Sequence, residues 1–207
     1  VILRIDPERP DPSIIERAAE ALSGSRVVVA PTETRYGLLC RADRQGVIEK
    51  LYRLKNRDLN RPTALIVPDL EAIEQLGRLT PAARLLAEQY LPGPLTLVLA
   101  AAKAWPPPRV VEGRIGCRWS PAATIKAILA IIDFPLTATS ANISGQCDAE
   151  VVQDIEAGFG DNVELYLDAG PLTGPTSTVV DCSGDGAVIL REGAIAADAI
   201  RAAVAEL

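Results

Sequence analysis

Histidine is absent from this 207-residue chain. The absence excludes Ser-His-Asp and Cys-His catalysis, imidazole general bases and histidine-ligated metals. Any chemistry must therefore come from lysine, arginine, hydroxyls, amides, carboxylates, backbone groups or a metal carried in by substrate. Methionine is absent too, so the chain is expected not to begin at a natural initiator. No apolar run approaches the roughly 20 residues that span a bilayer. The opening Val1–Asp6 lacks a charged leader with an apolar stretch and a cleavage site behind it. A cytoplasmic protein without membrane contact is the expectation. Cys40, Cys117, Cys147 and Cys182 lie far apart, without the paired spacings of zinc or thioredoxin-like sites, and should be reduced and mostly buried. Positive charge is in deficit, at a net −6. That argues against a broad nucleic-acid-binding face but permits a local cationic pocket, and one cluster of cations does occur between Arg53 and Arg61.

What is present has the balance of an ordinary globular protein, 48% hydrophobic and 23% charged, and the length suits one domain over residues 1–207. Asp11-Pro12 reads as an N-cap with proline at the first helical position, before an apolar stripe of Ile14, Ile15, Ala18, Ala19 and Leu22 that Gly24 ends. Val27–Ala30 is a buried strand that runs into the polar segment Pro31–Gly37. Further helices are predicted over Gln45–Leu54 with Asp43 as cap, from Thr80-Pro81 to Tyr90, from Ser120-Pro121 to Ala130, from Asp148 to Phe159 and over Asp198–Leu207. Strands are predicted near Ala64–Val67, Leu95–Ala100, Arg114–Trp119, Leu136–Thr139, Val163–Leu167, Thr178–Asp181 and Ala187–Arg191, with Lys103–Glu112 as a loop. Strands interleaved with helices, and strands closely spaced late in the chain, imply an α/β fold with a twisted, open, mixed sheet flanked by helices.

Four polar clusters stand at element ends: Pro31–Gly37, Lys55–Arg61, Ser140–Gly145, and Thr176–Thr178 with Arg191. In an open α/β sheet the ligand crevice lies beyond the strand ends, so the four can converge there. Lys55, Arg57 and Arg61, with Arg53 nearby, suit phosphates or carboxylates that need several charged donors; a solvated basic loop is the alternative. Ser140 and Asn142 fall on the same side of an extended segment, or form an Asx-type turn. Thr32, Thr34 and Tyr36 alternate with Glu33 and Arg35, which would put the two sets on opposite faces; a turn role for Thr32 competes. Ser177–Asp181 also reads as an edge strand, and Arg191 as a surface cation.

Taken in order, these segments resemble the YrdC/Sua5 family. Pro31-Thr32-Glu33-Thr34-Arg35-Tyr36-Gly37 is similar to its P-T-[DE]-T-x-Y-G segment, Lys55-Asn56-Arg57 to its K-x-R, and Leu91–Leu97 to its Pro-Gly-Pro lead into a strand. Ser140-Ala141-Asn142 resembles its S-x-N signature, and Ser177–Asp181 and Ile189–Ile195 its closing S-T-V-V-D and I-L-R-x-G-A-I segments. The agreement runs from about Pro12 to the C-terminus.

The resemblance implies a YrdC-like fold around a deep central crevice and a threonylcarbamoyl-AMP synthase, a nucleotidyltransferase acting on ATP, L-threonine and bicarbonate for tRNA modification. It implies a functional core of Lys55, Arg57, Ser140 and Asn142. Nucleotide contacts carry over to Lys55, Arg57, Arg61, Asn142 and Arg191, and threonine contacts to Thr34, Tyr36, Arg118, Ser140 and Ser177. Mg²⁺ is expected as a substrate-borne ion, with no tightly bound cofactor and no protein metal site. Downstream tRNA threonylcarbamoyl transferase proteins are the expected partners, with a weak tRNA contact. The chain departs from the family pattern at Asp58, where proline is usual, at Ile66, where many relatives carry histidine, and at Leu39, where glycine is usual. Asp58 is thereby expected to pair with Arg57, Ile66 removes a histidine contact to threonine, and Leu39 adds bulk near the crevice. Two other readings of the same fold are a non-catalytic binder of structured RNA and a carbamoyl-transferring domain.

Overall fold

A computed structural model describes residues 1–205. The chain runs β1 (Ile2–Arg4), α1 (Pro12–Ser23), β2 (Val28–Pro31), β3 (Tyr36–Leu39), α2 (Gln45–Leu54), β4 (Ala64–Ile66), α3 (Leu70–Leu76), β5 (Gly77–Arg78), α4 (Pro81–Tyr90), β6 (Leu95–Ala101), β7 (Val110–Val111) and β8 (Arg114–Arg118). It continues through α5 (Ala123–Leu129), β9 (Leu136–Ser140), α6 (Val152–Phe159), a 3-10 turn (Gly160–Asn162), β10 (Leu165–Asp168), β11 (Thr178–Asp181), β12 (Val188–Arg191) and α7 (Ala197–Val204). Residues 206 and 207 of the helix predicted over Asp198–Leu207 lie outside the described residues.

Proline-led helix starts behave as read. The Asp11 carboxylate accepts from the Ser13 amide at 2.8 Å, and Thr80 Oγ1 accepts from the Ala83 amide at 3.2 Å. Three predicted caps fail. α2 starts after Arg44 without a side-chain cap, because the carboxylate of Asp43 is held by Arg41 at 2.7 Å. α5 starts after Ala122 and α6 after Val151, so Ser120 and Asp148 are free of capping duty.

All the strands join one mixed sheet in the order β1-β10-β2-β3-β9-β4-β8-β6-β11-β12, with β5 on β6 and β7 on β8. β11 runs parallel to β6 and antiparallel to β12, the mixture that the late strands foretold. Period-two alternation sends residues of each strand to opposite faces. On the back face, Val29, Leu38 and Tyr166 pack with α2 and α6, and Leu65, Leu97, Leu99 and Cys117 pack with α3, α4 and α7. On the front face, Val28, Ala30, Leu39, Leu165 and Leu167 pack with α1 and α5. Ile66 of β4 still packs in that cluster; among the described residues no helix covers the rest of the face, over β8, β6 and β11, and the crevice lies there.

Cys40, Cys117 and Cys182 are buried, Cys147 is exposed, and all four are free thiols. Burial pushes the first three up to about 12, so they are inert at neutral pH. Leu39 belongs to the α1/α5 core rather than to the crevice wall, which corrects the expectation that its bulk intrudes there.

Candidate active site

The crevice encloses about 690 Å³, a size that holds a small-molecule ligand. Its floor is built from alternate residues of neighbouring strands: Ala64 and Ile66, Gly116 and Arg118, Ala138 and Ser140, Thr96 and Val98, Ser177 and Val179. It therefore lies on the sheet's face and not beyond the strand ends, as the open-sheet rule suggested. The floor is low because its side chains are small. A Cβ on Gly116 would sit 2.9 Å from that of Ala64.

One wall is the β2–β3 turn. Thr32 organises it: its hydroxyl donates to the Arg35 carbonyl at 2.6 Å and accepts from the amides of Thr34 and Arg35, each at 3.2 Å. The turn role considered for Thr32 is thus the one it has. Because the segment turns instead of extending, Glu33 and Thr34 meet the same partner. Arg118 Nη2 donates to Glu33 Oε1 at 2.6 Å and to Thr34 Oγ1 at 2.7 Å, and its Nε donates to Glu33 Oε1 at 3.2 Å. Ser120 donates a very short bond to the other Glu33 oxygen. The expectation that Glu33 faces away from Thr34 is corrected.

Lys55 and Arg57 take different routes from the end of α2. Lys55 is the C-cap, and Asn56 follows in the left-handed region at φ 50°. The Asn56 amide donates to the Arg53 carbonyl at 3.0 Å and the Arg57 amide to the Tyr52 carbonyl at 2.9 Å, a Schellman termination. The reversal sends the Arg57 guanidinium over the Tyr52 ring, 5.5 Å from its centre, and into the crevice lining. Lys55 is instead 1% exposed and does not line the crevice. Its Nζ donates to the Ser140 carbonyl at 2.5 Å, the Asn142 carbonyl at 2.7 Å and Asn142 Oδ1 at 3.0 Å. The ammonium has three donors and finds three acceptors. Burial, then the charge of Arg57, lowers its pKa from 10.5 to about 7, with Asp148 opposing. Lys55 is a buried clamp on the Ser140–Asn142 loop, and its reading as a surface-loop cation is corrected.

That loop is closed on itself. Ser140 Oγ donates to Asn142 Oδ1 at 2.7 Å, and Asn142 Nδ2 donates to the Gln146 carbonyl at 2.7 Å. Ser140 lines the crevice, whereas Asn142 does not. At the far wall Arg191 donates through Nε and Nη2 to the Ser177 carbonyl at 3.2 and 2.7 Å, and through Nη2 to Ser177 Oγ at 3.2 Å. Burial and the nearby Arg118 lower the pKa of Arg191. The contact needs glycine beside it, since a Cβ on Gly193 would sit 2.2 Å from the Thr176 carbonyl oxygen. Tyr36 lines the crevice, but its side chain belongs to the α2/α6 core, its hydroxyl donates to the Gly170 carbonyl at 2.6 Å and its pKa is raised by burial.

Of the residues singled out from sequence, Thr34, Tyr36, Arg57, Arg118, Ser140, Ser177 and Arg191 share this one cavity. Arg61 is exposed and outside the lining. Asp58 does not pair with Arg57: its Oδ1 accepts from the Asn60 amide at 2.9 Å, while Arg57 Nη2 donates to the Pro62 carbonyl at 2.8 Å. Sequence reasoning missed Arg35, Thr96, Glu112, Arg114 and Asp148, which also line the crevice. Thr96 was within reach, because it alternates with Val98 on the strand that the Pro-Gly-Pro segment leads into; its hydroxyl lies 3.0 Å from Ser177 Oγ. Among the described residues no group of three or more His, Cys, Asp or Glu side chains is placed to hold a metal. The arrangement can bind anions with guanidinium groups and orient them with hydroxyls, and the crevice lining includes no thiol and no lysine that would serve as a covalent nucleophile.

A family-wide profile, Sua5/YciO/YrdC, described as telomere recombination, matches residues 20–193. The threonylcarbamoyl-AMP synthase of Bacillus subtilis is 31% identical over 198 residues, 94% of this chain and 57% of that protein. The crystal structure of Pyrococcus abyssi Sua5 complexed with L-threonine superposes with a TM-score of 0.90 at 29% identity, covering 100% of this chain and 62% of that one. The chain thus spans about three fifths of these two relatives. Escherichia coli YciO, named only as an uncharacterized protein, is 27% identical over 195 residues, 91% of this chain and 93% of its own.

Proposed function

Since the chain belongs to the Sua5/YciO/YrdC family, we propose that its crevice makes threonylcarbamoyl-AMP from L-threonine, bicarbonate or CO₂, and ATP, as a nucleotidyltransferase. The observation that carries the proposal is the convergence of Arg57, Arg191, Arg118, Thr34, Ser140 and Ser177 on one cavity. It is supported by relatives of about 30% identity that are named for this product and by a neighbour that holds L-threonine. Arg57 and Arg191 bind the nucleotide's phosphates, and Arg118 with Thr34 binds the amino acid's carboxylate. The threonine amine adds to the carbon of CO₂, or of bicarbonate with loss of water, and gives up a proton as the carbamate forms. A carbamate oxygen then attacks the α-phosphorus, and the bond to the leaving pyrophosphate breaks. No step needs an enzyme-bound covalent intermediate. The work is alignment and charge neutralisation, which accounts for a site without histidine.

Mg²⁺ enters as substrate on the triphosphate. Lys55 and Asn142 act from behind the wall by holding Ser140, and Arg61, outside the lining, is assigned to the nucleotide by the resemblance alone. The product is passed to tRNA threonylcarbamoyl transferase proteins. Mass spectrometry of a reaction with ¹³C-bicarbonate tests the proposal: the adenylate is expected to carry the label and to require both threonine and ATP. A folded sample that releases no pyrophosphate under these conditions, with partner proteins added, would refute it.

A further inference from the structure

Five arginines line the crevice, but their charges are not equally available. Arg35 has Glu150 at 3.4 Å, Arg114 has Glu112 and Asp181, and Arg118 has Glu33 at 2.6 Å. Arg57 and Arg191 have no carboxylate within ion-pair distance among the described residues, and their guanidinium bonds go to the carbonyls of Pro62 and Ser177 and to the Ser177 hydroxyl. Asp148 acts on Arg191 only at longer range. Arg57 and Arg191 therefore keep their charge, whereas that of Arg118 is compensated by Glu33, although Arg118 lies near enough to Arg191 to lower its pKa.

The compensated arginine belongs to a built pair. The side chains of Arg118 and Glu33 are 10% and 13% exposed, so water screens their fields little. Both carboxylate oxygens are fixed, one by Arg118 and the other by Ser120. Arg118 Nη1 makes no bond within the described residues, so a donor remains although the charge is compensated. A phosphate arriving at Arg118 meets a guanidinium whose charge Glu33, itself outside the crevice lining, already compensates. A carboxylate of lower charge density still finds the remaining Arg118 donor.

We propose that Glu33 is a positioning residue that compensates the charge of Arg118, holding its guanidinium for the carboxylate of an amino acid and keeping phosphate groups on Arg57 and Arg191. The assignment of ligands to these arginines rests on the function proposed above. The test uses Glu33→Gln, which keeps an acceptor for Arg118 and a side-chain partner for Ser120 but removes the charge, with Glu33→Asp as the charge-retaining control. Calorimetric titration with inorganic phosphate at low salt is expected to show about tenfold tighter binding, or a second bound phosphate, in Glu33→Gln. Phosphate should then compete with L-threonine in that variant and not in the parent. Glu33→Asp should keep the parent's phosphate binding. Equal phosphate binding by the parent and Glu33→Gln, or a matching gain in Glu33→Asp, would overturn the proposal. Failure of the parent to bind L-threonine would count against the proposed function, and the phosphate titration would still decide the role of Glu33.

Discussion

The two halves of the front face share one sheet and differ in what stands on it. Over β10, β2 and β3 the front-facing residues are Val28, Ala30, Leu39, Leu165 and Leu167, and α1 and α5 close over them. Over β8, β6 and β11 they are Gly116, Arg118, Thr96, Val98, Ser177 and Val179, and among the described residues no helix follows; Ala64 and Ile66 of β4 stand at the border, with Ile66 in the covered core. Branched apolar side chains recruit a helix because burying them is favourable. Where Gly116, Thr96, Arg118 and Ser177 interrupt them, Val98 and Val179 are too few to hold a helix, and a hollow suited to a ligand with polar groups remains. The back face is apolar across both halves, so the fold does not depend on filling the crevice.

Substitutions on the two halves should separate stability from chemistry. The largest effect is expected on the covered half: Leu39→Ala should cost about 2–5 kcal/mol in chemical denaturation, by cavity formation, with the KM values of the remaining folded enzyme unchanged. On the open half, Arg57→Ala should lower the rate of pyrophosphate release by about 10²- to 10³-fold while the denaturation midpoint stays near that of the parent. A shared loss of stability in both variants would erase the distinction.

Lys55 sits between the two behaviours. Lys55→Met leaves three oxygens of the Ser140–Asn142 loop without their donor. It should lower stability by about 1–3 kcal/mol as well as reduce turnover. Lys55 also carries a pH dependence. The folded state depresses the Lys55 pKa from 10.5 to about 7, so between those values the unfolded chain binds more protons, and stability should rise with pH across that window. Denaturation of the parent against Lys55→Met at several pH values should show the rise only in the parent.

How far the sequence reaches follows the same division. Helices and strands with a regular apolar period were legible, as with Ile15, Ala18 and Leu22 on α1 or Leu95–Leu99 on β6. β3 was not, because Thr32 and Arg35 make a turn that hides a hairpin inside a polar run. α3 was missed although Asp69 caps it, since seven residues carry too little periodicity to separate from loop. The motif residues of the crevice were legible through family resemblance. That Lys55 lies behind the wall was not, because a two-residue spacing does not reveal the left-handed turn at Asn56 that parts it from Arg57. The Glu33–Arg118 pair joins residues 85 positions apart, and only the fold brings them together.

The central claim is that one crevice holds nucleotide phosphates at Arg57 and Arg191 beside an amino acid at Arg118. A crystal structure with a non-hydrolysable ATP analogue and L-threonine tests it most directly. The account predicts phosphate oxygens within hydrogen-bond distance of both unpaired guanidinium groups, and the threonine carboxylate on Arg118 and Thr34. Either ligand bound outside this cavity, or phosphates seated on Arg118, would contradict it.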